Sequence, residues 1–326
     1  MILNNGLGII DFSHALDLVP RQNKLLSGMN LFGDKKFGYS NIASVTRVVN
    51  ADGTISFHQR GSDRNFLSKE KAVQKHFTIP FASLDGAVDA SDIQNFASYF
   101  QPDSPKTSEE VVRRNVTRIM GMWQNRWERS MFNALRGVNE ADGSTQDLYA
   151  VWGETKKVVS VDFASATVDP GTTIEVEGRG HIVTKAGDSA DQYEIVAICH
   201  TTFFQKLVDN VFVSEAFKYF PSQQDPLRTR LGGNTINRSF TYKGVIYVED
   251  ISGYLEAGKA VLFPKGIEGM FTAHYAPADA KAYANTQARE SYLFINDTFR
   301  KTSIETESSY LFLNSRPELC VELVAA

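Results

Sequence analysis

Tyr275-Ala-Pro-Ala-Asp279, then Asn285-Thr-Gln-Ala-Arg289, and finally Arg316-Pro-Glu318 running into Val321-Glu-Leu-Val324 close this 326-residue chain. In front of them stand the apolar runs Ala260-Val-Leu-Phe263 and Gly269-Met-Phe271. Ser239-Phe-Thr-Tyr242 and Val245-Ile-Tyr-Val248 flank a Lys243-Gly244 turn and read as paired strands. A polar loop, 221–237, separates them from a helix near 201–218 that carries Phe204, Leu207, Val208, Val211 and Phe212. Tyr193-Glu-Ile-Val-Ala-Ile-Cys199 predicts a buried strand ahead of that helix. The Gly-, Thr- and acid-rich stretch 168–191 reads as surface strands and loops. Leu148-Tyr-Ala-Val-Trp152 and Val158-Val-Ser-Val-Asp-Phe163 read as the strands of a hairpin.

Further upstream, one helix dominates, over 108–136. Thr107 is its N-cap, with Glu110 three residues on, and Gly137 supplies the stop. At 100° per residue Val112, Val116, Ile119, Met120, Trp123, Trp127 and Ala134 share one stripe. Arg114, Arg118, Asn125 and Arg129 lie opposite. About 29 residues at 1.5 Å each make a rod of ~44 Å. Before it, Ile42, Val45 and Val49 begin a strand, Asn50-Ala-Asp52-Gly53 turns, and Thr54-Ile-Ser-Phe-His-Gln-Arg60 alternates. A charged excursion follows, and Lys75-His-Phe77-Thr-Ile79-Pro80 alternates again. Together these predict a long two-stranded arm with a polar tip, which needs something to lie on because an isolated hairpin is marginal in water. Residues 1–38, broken by Gly6, Gly8, Gly28, Gly33 and Gly38, sustain no period. They can bury their apolar pieces only by lying across something else, such as another subunit.

A formal net charge of −4 excludes a nucleic-acid binder built on bulk basic charge. The two cysteines, Cys199 and Cys320, sit in apolar runs and read as reduced, buried thiols. No apolar run reaches the ~18 residues of a membrane span, and the N-terminus has no secretory signal. Cys199 and His200 are strand neighbours that point to opposite faces, so they do not form a nucleophile–base pair. The six histidines are scattered, with none at i,i+4, and no zinc site is suggested. Asp89 and Asp92 read as the start of a short helix, and Gly178-Arg-Gly180 is not a phosphate loop. No catalytic, cofactor or metal site emerges.

The closing segments resemble the end of the lambda-type phage major capsid proteins, the major capsid protein E family. Phe77-Thr-Ile-Pro80, Asp92-Ile-Gln94, the long helix, the strand–helix at 193–219, Phe240-Thr-Tyr-Lys-Gly244-Val, Glu249, Gly253 and Phe263-Pro264 match in order over most of the chain. The resemblance implies an α+β, Hong Kong 97-like capsid fold. In it 1–38 is an N-terminal arm and 39–82 an extended loop. Residues 83–156 and 291–316 form a peripheral domain with the spine helix 108–136. Residues 157–290, with the final strand 317–326, form an axial domain.

The implied function is a structural protein that self-assembles into pentamers and hexamers of an icosahedral phage head around double-stranded DNA, built in the host bacterial cytoplasm. Its partners would be many copies of itself, a scaffolding protein, a portal, a decoration protein, and packaged DNA by non-specific proximity, with no membrane. A mildly acidic wall would limit the adhesion of DNA during packaging. Arg60, Asp63, Arg64, Lys69, Glu70 and Lys71 are the candidate subunit contacts on the loop, and Arg114, Arg118 and Arg129 the candidate lumen-facing residues. No local pattern marks an asparagine to receive Lys69, Lys71 or Lys75 in a covalent cross-link. Two alternatives stay open here: an encapsulin-like nanocompartment shell of the same fold, and a soluble mixed α/β enzyme.

Overall fold

A computed structural model describes residues 10–16, 24–49, 71–94, 108–141, 144–165, 167–187, 193–218 and 237–326. The helix Ser108–Leu135 forms where its apolar stripe predicts. Val116, Ile119, Met120, Trp123, Trp127 and Ala134 are buried, while Arg114, Arg118, Asn125 and Arg129 are exposed. Gly137 ends it in the left-handed region, φ 80°, where a Cβ would also run into the Tyr149 ring. Thr107 lies outside the described residues.

This helix lies on one face of a six-stranded sheet. Its path is β1 (Ile10–Asp11), β14 (Tyr292–Asp297), β15 (Lys301–Asn314), β13 (Phe271–Ala276) and β2 (Asp34–Phe37), and β5 (Phe81–Asp89) pairs with the outer part of β15. Strand alternation decides which side chains meet the helix. Val88 of β5 and Ile304, Thr306 and Tyr310 of β15 are buried, and Trp123 donates its indole N–H to Thr306 Oγ1 at 3.0 Å. Gly86 lets Ile119 approach, since a Cβ there would stand 3.2 Å from Ile119 Cδ1. Each large apolar side chain buried here contributes roughly 1.5–3 kcal/mol.

The second six-stranded sheet runs β10 (Ser239–Tyr242), β11 (Val245–Asp250), β9 (Glu194–His200), β12 (Lys259–Lys265), β16 (Val321–Ala325) and β8 (Lys157–Val161). Both of its faces are covered. Ala197, Cys199, Tyr247 and Leu262 pack under helices with Ile174, Ile182, Phe203 and Phe204. Val196, Ile198, Val261 and Phe263 join the core built on the long helix. The C-terminal strand β16 sits between β12 and β8, while β13, within the expected 157–290 segment, hydrogen-bonds β15 in the first sheet.

Several local expectations are corrected. Leu148–Trp152 is a helix, because Asp147 accepts from Tyr149 N at 2.9 Å and Gly153 closes it at φ 71°. Its expected partner, β8, instead pairs in parallel with β16. The 168–191 stretch holds helix Pro170–Thr173, a π-helix Ile174–Arg179 and helix Gly180–Ala186 in place of surface strands. Asp169 caps it from the Gly171 N–H at 2.8 Å, and Gly178 packs so tightly that a Cβ would lie 2.8 Å from Leu262 Cδ2. The 201–218 helix breaks at extended Asn210 into Thr201–Asp209 and Val211–Lys218, which leaves Val211 exposed. Asp89 and Asp92 do start a short helix, 90–94, with the Asp89 N–H donating to Asp92 Oδ2 at 3.0 Å.

Candidate functional site

Two strands leave the body as a unit. β3 (Ile42–Val49) and β4 (Lys71–Thr78) pair antiparallel from Ile42↔Thr78 to Val49↔Lys71 and join neither large sheet. The first strand of the expected arm is thus paired with its second alternating run, while the Asn50–Gly53 turn, the Thr54–Arg60 run and the charged tip lie outside the described residues. Ala43, Val45, Phe77 and Ile79 form its apolar root on Leu148, Ala276, Leu311 and Leu313, with Val151 and Trp152 alongside. Leu311 and Leu313 alternate with Tyr310 and Phe312, which pack with the long helix. The arm root and the helix therefore occupy opposite faces of one sheet.

The last described attachment before the arm departs is polar. Arg47 Nη2 lies 2.7 Å from Glu318 Oε1 and 3.3 Å from Glu154 Oε1, with its guanidinium over the Trp152 ring at 6.0 Å. Arg316 Nε reaches the same Glu318 oxygen at 3.3 Å. The Glu318 side chain is 3% exposed, and its Oε2 has no hydrogen-bond partner among the described residues. His181 Nε2 lies 3.1 Å from the Glu318 carbonyl, and Arg316 Nη2 donates to Lys185 O at 3.0 Å. The sequence alone singles out neither Arg47 nor Glu154, and marks Glu318 only within the Arg316-Pro-Glu318 segment. Nothing local signals a pair 271 positions apart.

A second clamp holds the N-terminal segment. Glu128 of the long helix, 1% exposed, accepts from Leu26 N at 2.6 Å, Ser27 N at 3.2 Å and Ser27 Oγ at 2.7 Å. It satisfies donors that the short helix Leu25–Gly28 leaves open. β2 adds in parallel to β13, and β1 adds antiparallel to β14. The described part of 1–38 thus lies across this chain's own core.

Of the loop candidates, Arg60, Asp63, Arg64, Lys69 and Glu70 lie outside the described residues, and Lys71 opens β4. Arg114, Arg118 and Arg129 are exposed on one side of the long helix. At the far end of the first sheet the β14–β15 turn, closed by Thr298 N donating to Lys301 O at 3.0 Å, carries a fully exposed Phe299. A bare phenylalanine at a turn is a contact signal that the sequence reading passed over.

The residues inspected for chemistry are structural. Cys199 is fully buried, and burial pushes its thiol well up. Burial likewise pushes Cys320 up to about 12. His200 Nδ1 accepts from Thr202 N at 3.1 Å and so caps the next helix. Among the described residues no His, Cys, Asp or Glu cluster could hold a metal ion, and no helix is long and apolar enough to cross a membrane.

Known proteins match most of this chain. The family described as phage major capsid protein E matches residues 13–325. The major capsid protein of Pseudomonas phage KPP10 is 25% identical over 348 residues, covering 99% of this chain and 98% of the relative. That of Salmonella phage Felix O1 (isolate Felix O1-VT1) is 27% identical over 259 residues, with 67% and 69% covered. Among solved structures, the mature capsid of bacteriophage PhiM1 aligns at TM-score 0.55 and 13% identity over 94% of this chain and 88% of that one. The capsid of cyanophage P-SCSP1u aligns at 0.54 and 13% over 100% and 97%. At such identities the structural likeness is one of fold alone. The match over residues 13–325 establishes that the chain belongs to the phage major capsid protein E family, structural proteins of the phage head and not enzymes.

Proposed function

We propose that copies of this chain assemble as hexamers and pentamers into an icosahedral head around double-stranded DNA, inside the host bacterial cytoplasm. The observation that carries the proposal is the arm. Among the described residues, this two-stranded ribbon with its own sheet is fixed to its subunit at the root, and such a ribbon is marginal unless it lies on a further surface. Arg60, Asp63, Arg64, Lys69, Glu70 and Lys71 make its contacts with a neighbour. Each exposed ion pair is worth roughly 0–1 kcal/mol, weak enough for misplaced subunits to leave a growing shell.

The second sheet with its helices forms the axial unit around each ring's centre. The first sheet with the long helix forms the peripheral unit, whose Phe299 turn reaches an adjacent ring. Arg114, Arg118 and Arg129 face the lumen. A separate scaffolding protein, a portal and a decoration protein complete the head. Negative-stain microscopy of protein from cells with and without the neighbouring phage genes tests this. Closed particles, or free hexamers and pentamers, are expected. A uniform monomer under both conditions refutes it, and particles filled with an enzyme cargo favour a nanocompartment.

A further inference from the structure

The arm's direction has to be set by something other than its apolar root. Ala43, Val45, Phe77 and Ile79 rest on a patch of aliphatic side chains, and such contacts are non-directional. A ribbon held that way can pivot on its seat. Beyond the backbone hydrogen bonds at its base, the directional contact among the described residues is Arg47, opposite Val73 in the ribbon register, the place where the described attachments stop.

We infer that Glu318 is the positioning residue for the arm, and that it ties the arm's direction to the second sheet's helix Gly180–Ala186. Three features carry this. First, Glu318 Oε1 receives guanidinium groups from two elements, Arg47 of the arm at 2.7 Å and Arg316 of the β15–β16 link at 3.3 Å. Second, the link is anchored to the helix at two points, through His181 to the Glu318 carbonyl and through Arg316 to Lys185 O. A shift of that helix therefore moves the carboxylate on which Arg47 closes. Third, Glu318 is buried, with one carboxylate oxygen left without a partner among the described residues. A buried carboxylate that is already short of partners holds its cation, because releasing Arg47 would leave more of that charge uncompensated. Glu154 shares Arg47 at 3.3 Å but is a quarter exposed, where solvent screens it, so it is the weaker partner.

Spin labels at Gln74→Cys on the arm and Asn125→Cys on the long helix, both exposed, report the arm's direction in unassembled full-length subunits by double electron–electron resonance. The two native thiols are buried and stay unlabelled. Arg47→Met keeps the stem that packs over Trp152 and removes the charge. Glu318→Gln removes the charge from the other side, and Glu154→Gln is the control. Arg47→Met and Glu318→Gln are expected to broaden the distance distribution at least two-fold, and Glu154→Gln to leave it unchanged. If Glu318→Gln does not fold, the contrast between Arg47→Met and Glu154→Gln decides. An unchanged width in Arg47→Met, or an equal broadening in Glu154→Gln, overturns the inference. The measurement is made on single subunits, so its outcome is independent of whether the shell is built from hexamers and pentamers.

Discussion

Replacing Glu128 by alanine should release the N-terminal segment from the long helix. The carboxylate is 1% exposed and accepts three hydrogen bonds, from Leu26 N, Ser27 N and Ser27 Oγ. Ser27 is exposed, so water replaces the carboxylate there at small cost. Leu26 is fully buried, and its N–H would be left with nothing. An orphaned buried donor costs about 1–3 kcal/mol, and a bond to a charged acceptor is worth about 1.5–3. Truncating the side chain also opens a small cavity, while relief of carboxylate desolvation acts in the opposite direction. The sum is a destabilisation of about 2–4 kcal/mol. Glu128→Gln retains one acceptor for Leu26 N and should lose about 1 kcal/mol. Urea unfolding of unassembled subunits, together with amide exchange at Leu26, measures both. A loss below about 0.5 kcal/mol in Glu128→Ala, with unchanged protection at Leu26, would refute the reasoning.

His274 should make subunits acid-labile above the carboxylate range. Burial, reinforced by Lys36, lowers its pKa to about 4, so the folded state resists a proton that the unfolded state accepts near 6.5. Stability is then lost as pH falls through that window, by about 2 kcal/mol at pH 5. His274→Asn should flatten the difference between pH 7.5 and 5.0 in urea titrations, and an unaltered slope rejects the assignment. Phe299→Ser should leave subunit stability within about 0.5 kcal/mol but reduce the yield of closed particles, since it changes only an exposed turn. Unchanged yield would remove Phe299 from the contacts. The triple variant Arg114→Gln, Arg118→Gln, Arg129→Gln should lower the salt slope of duplex binding to ruptured shells by up to about 2.7, at ~0.9 per phosphate contact. An unaffected slope would place that helix face away from DNA.

How far the sequence could be read depended on whether the relevant signal was local. The long helix was legible because its stripe recurs over many turns and a glycine stops it, and β9 and β11 were legible as apolar runs bounded by turns. Leu148–Trp152 was misread because five apolar residues in a row carry no period. The information sat at the flanks, in the Asp147 cap and the left-handed Gly153. In 168–191 the glycines suggested loops, yet Gly178 is small so that a helix can press onto Leu262. The arm's two strands were visible, but the pairing of Ile42 with Thr78 was not. Glu128 and Glu318 were invisible as clamps for the same reason, since their partners lie 101 to 102 and 271 positions away.

The net charge of −4 also conceals how charge is distributed. Alternation along β5 and β15 sends Val88, Ile304 and Thr306 under the long helix, and sends Asp85, Asp89 and Glu305 to the opposite, exposed face. The helix in turn shows Arg113, Arg114, Arg118 and Arg129 on its outer side. This layer thus places these arginines on one surface and these carboxylates on the other, a separation that a net charge summed over the whole chain does not show. Glu307, on the acidic face, has its carboxyl raised, by burial first and then by Asp279, Asp85 and Glu305 beside it. Such repulsion destabilises the subunit and favours any arrangement that brings cations to that face. The arm is rooted on this same side of the sheet, with Leu311 and Leu313 under it. Repulsion on that side disfavours a neighbour that presents the same acidic face.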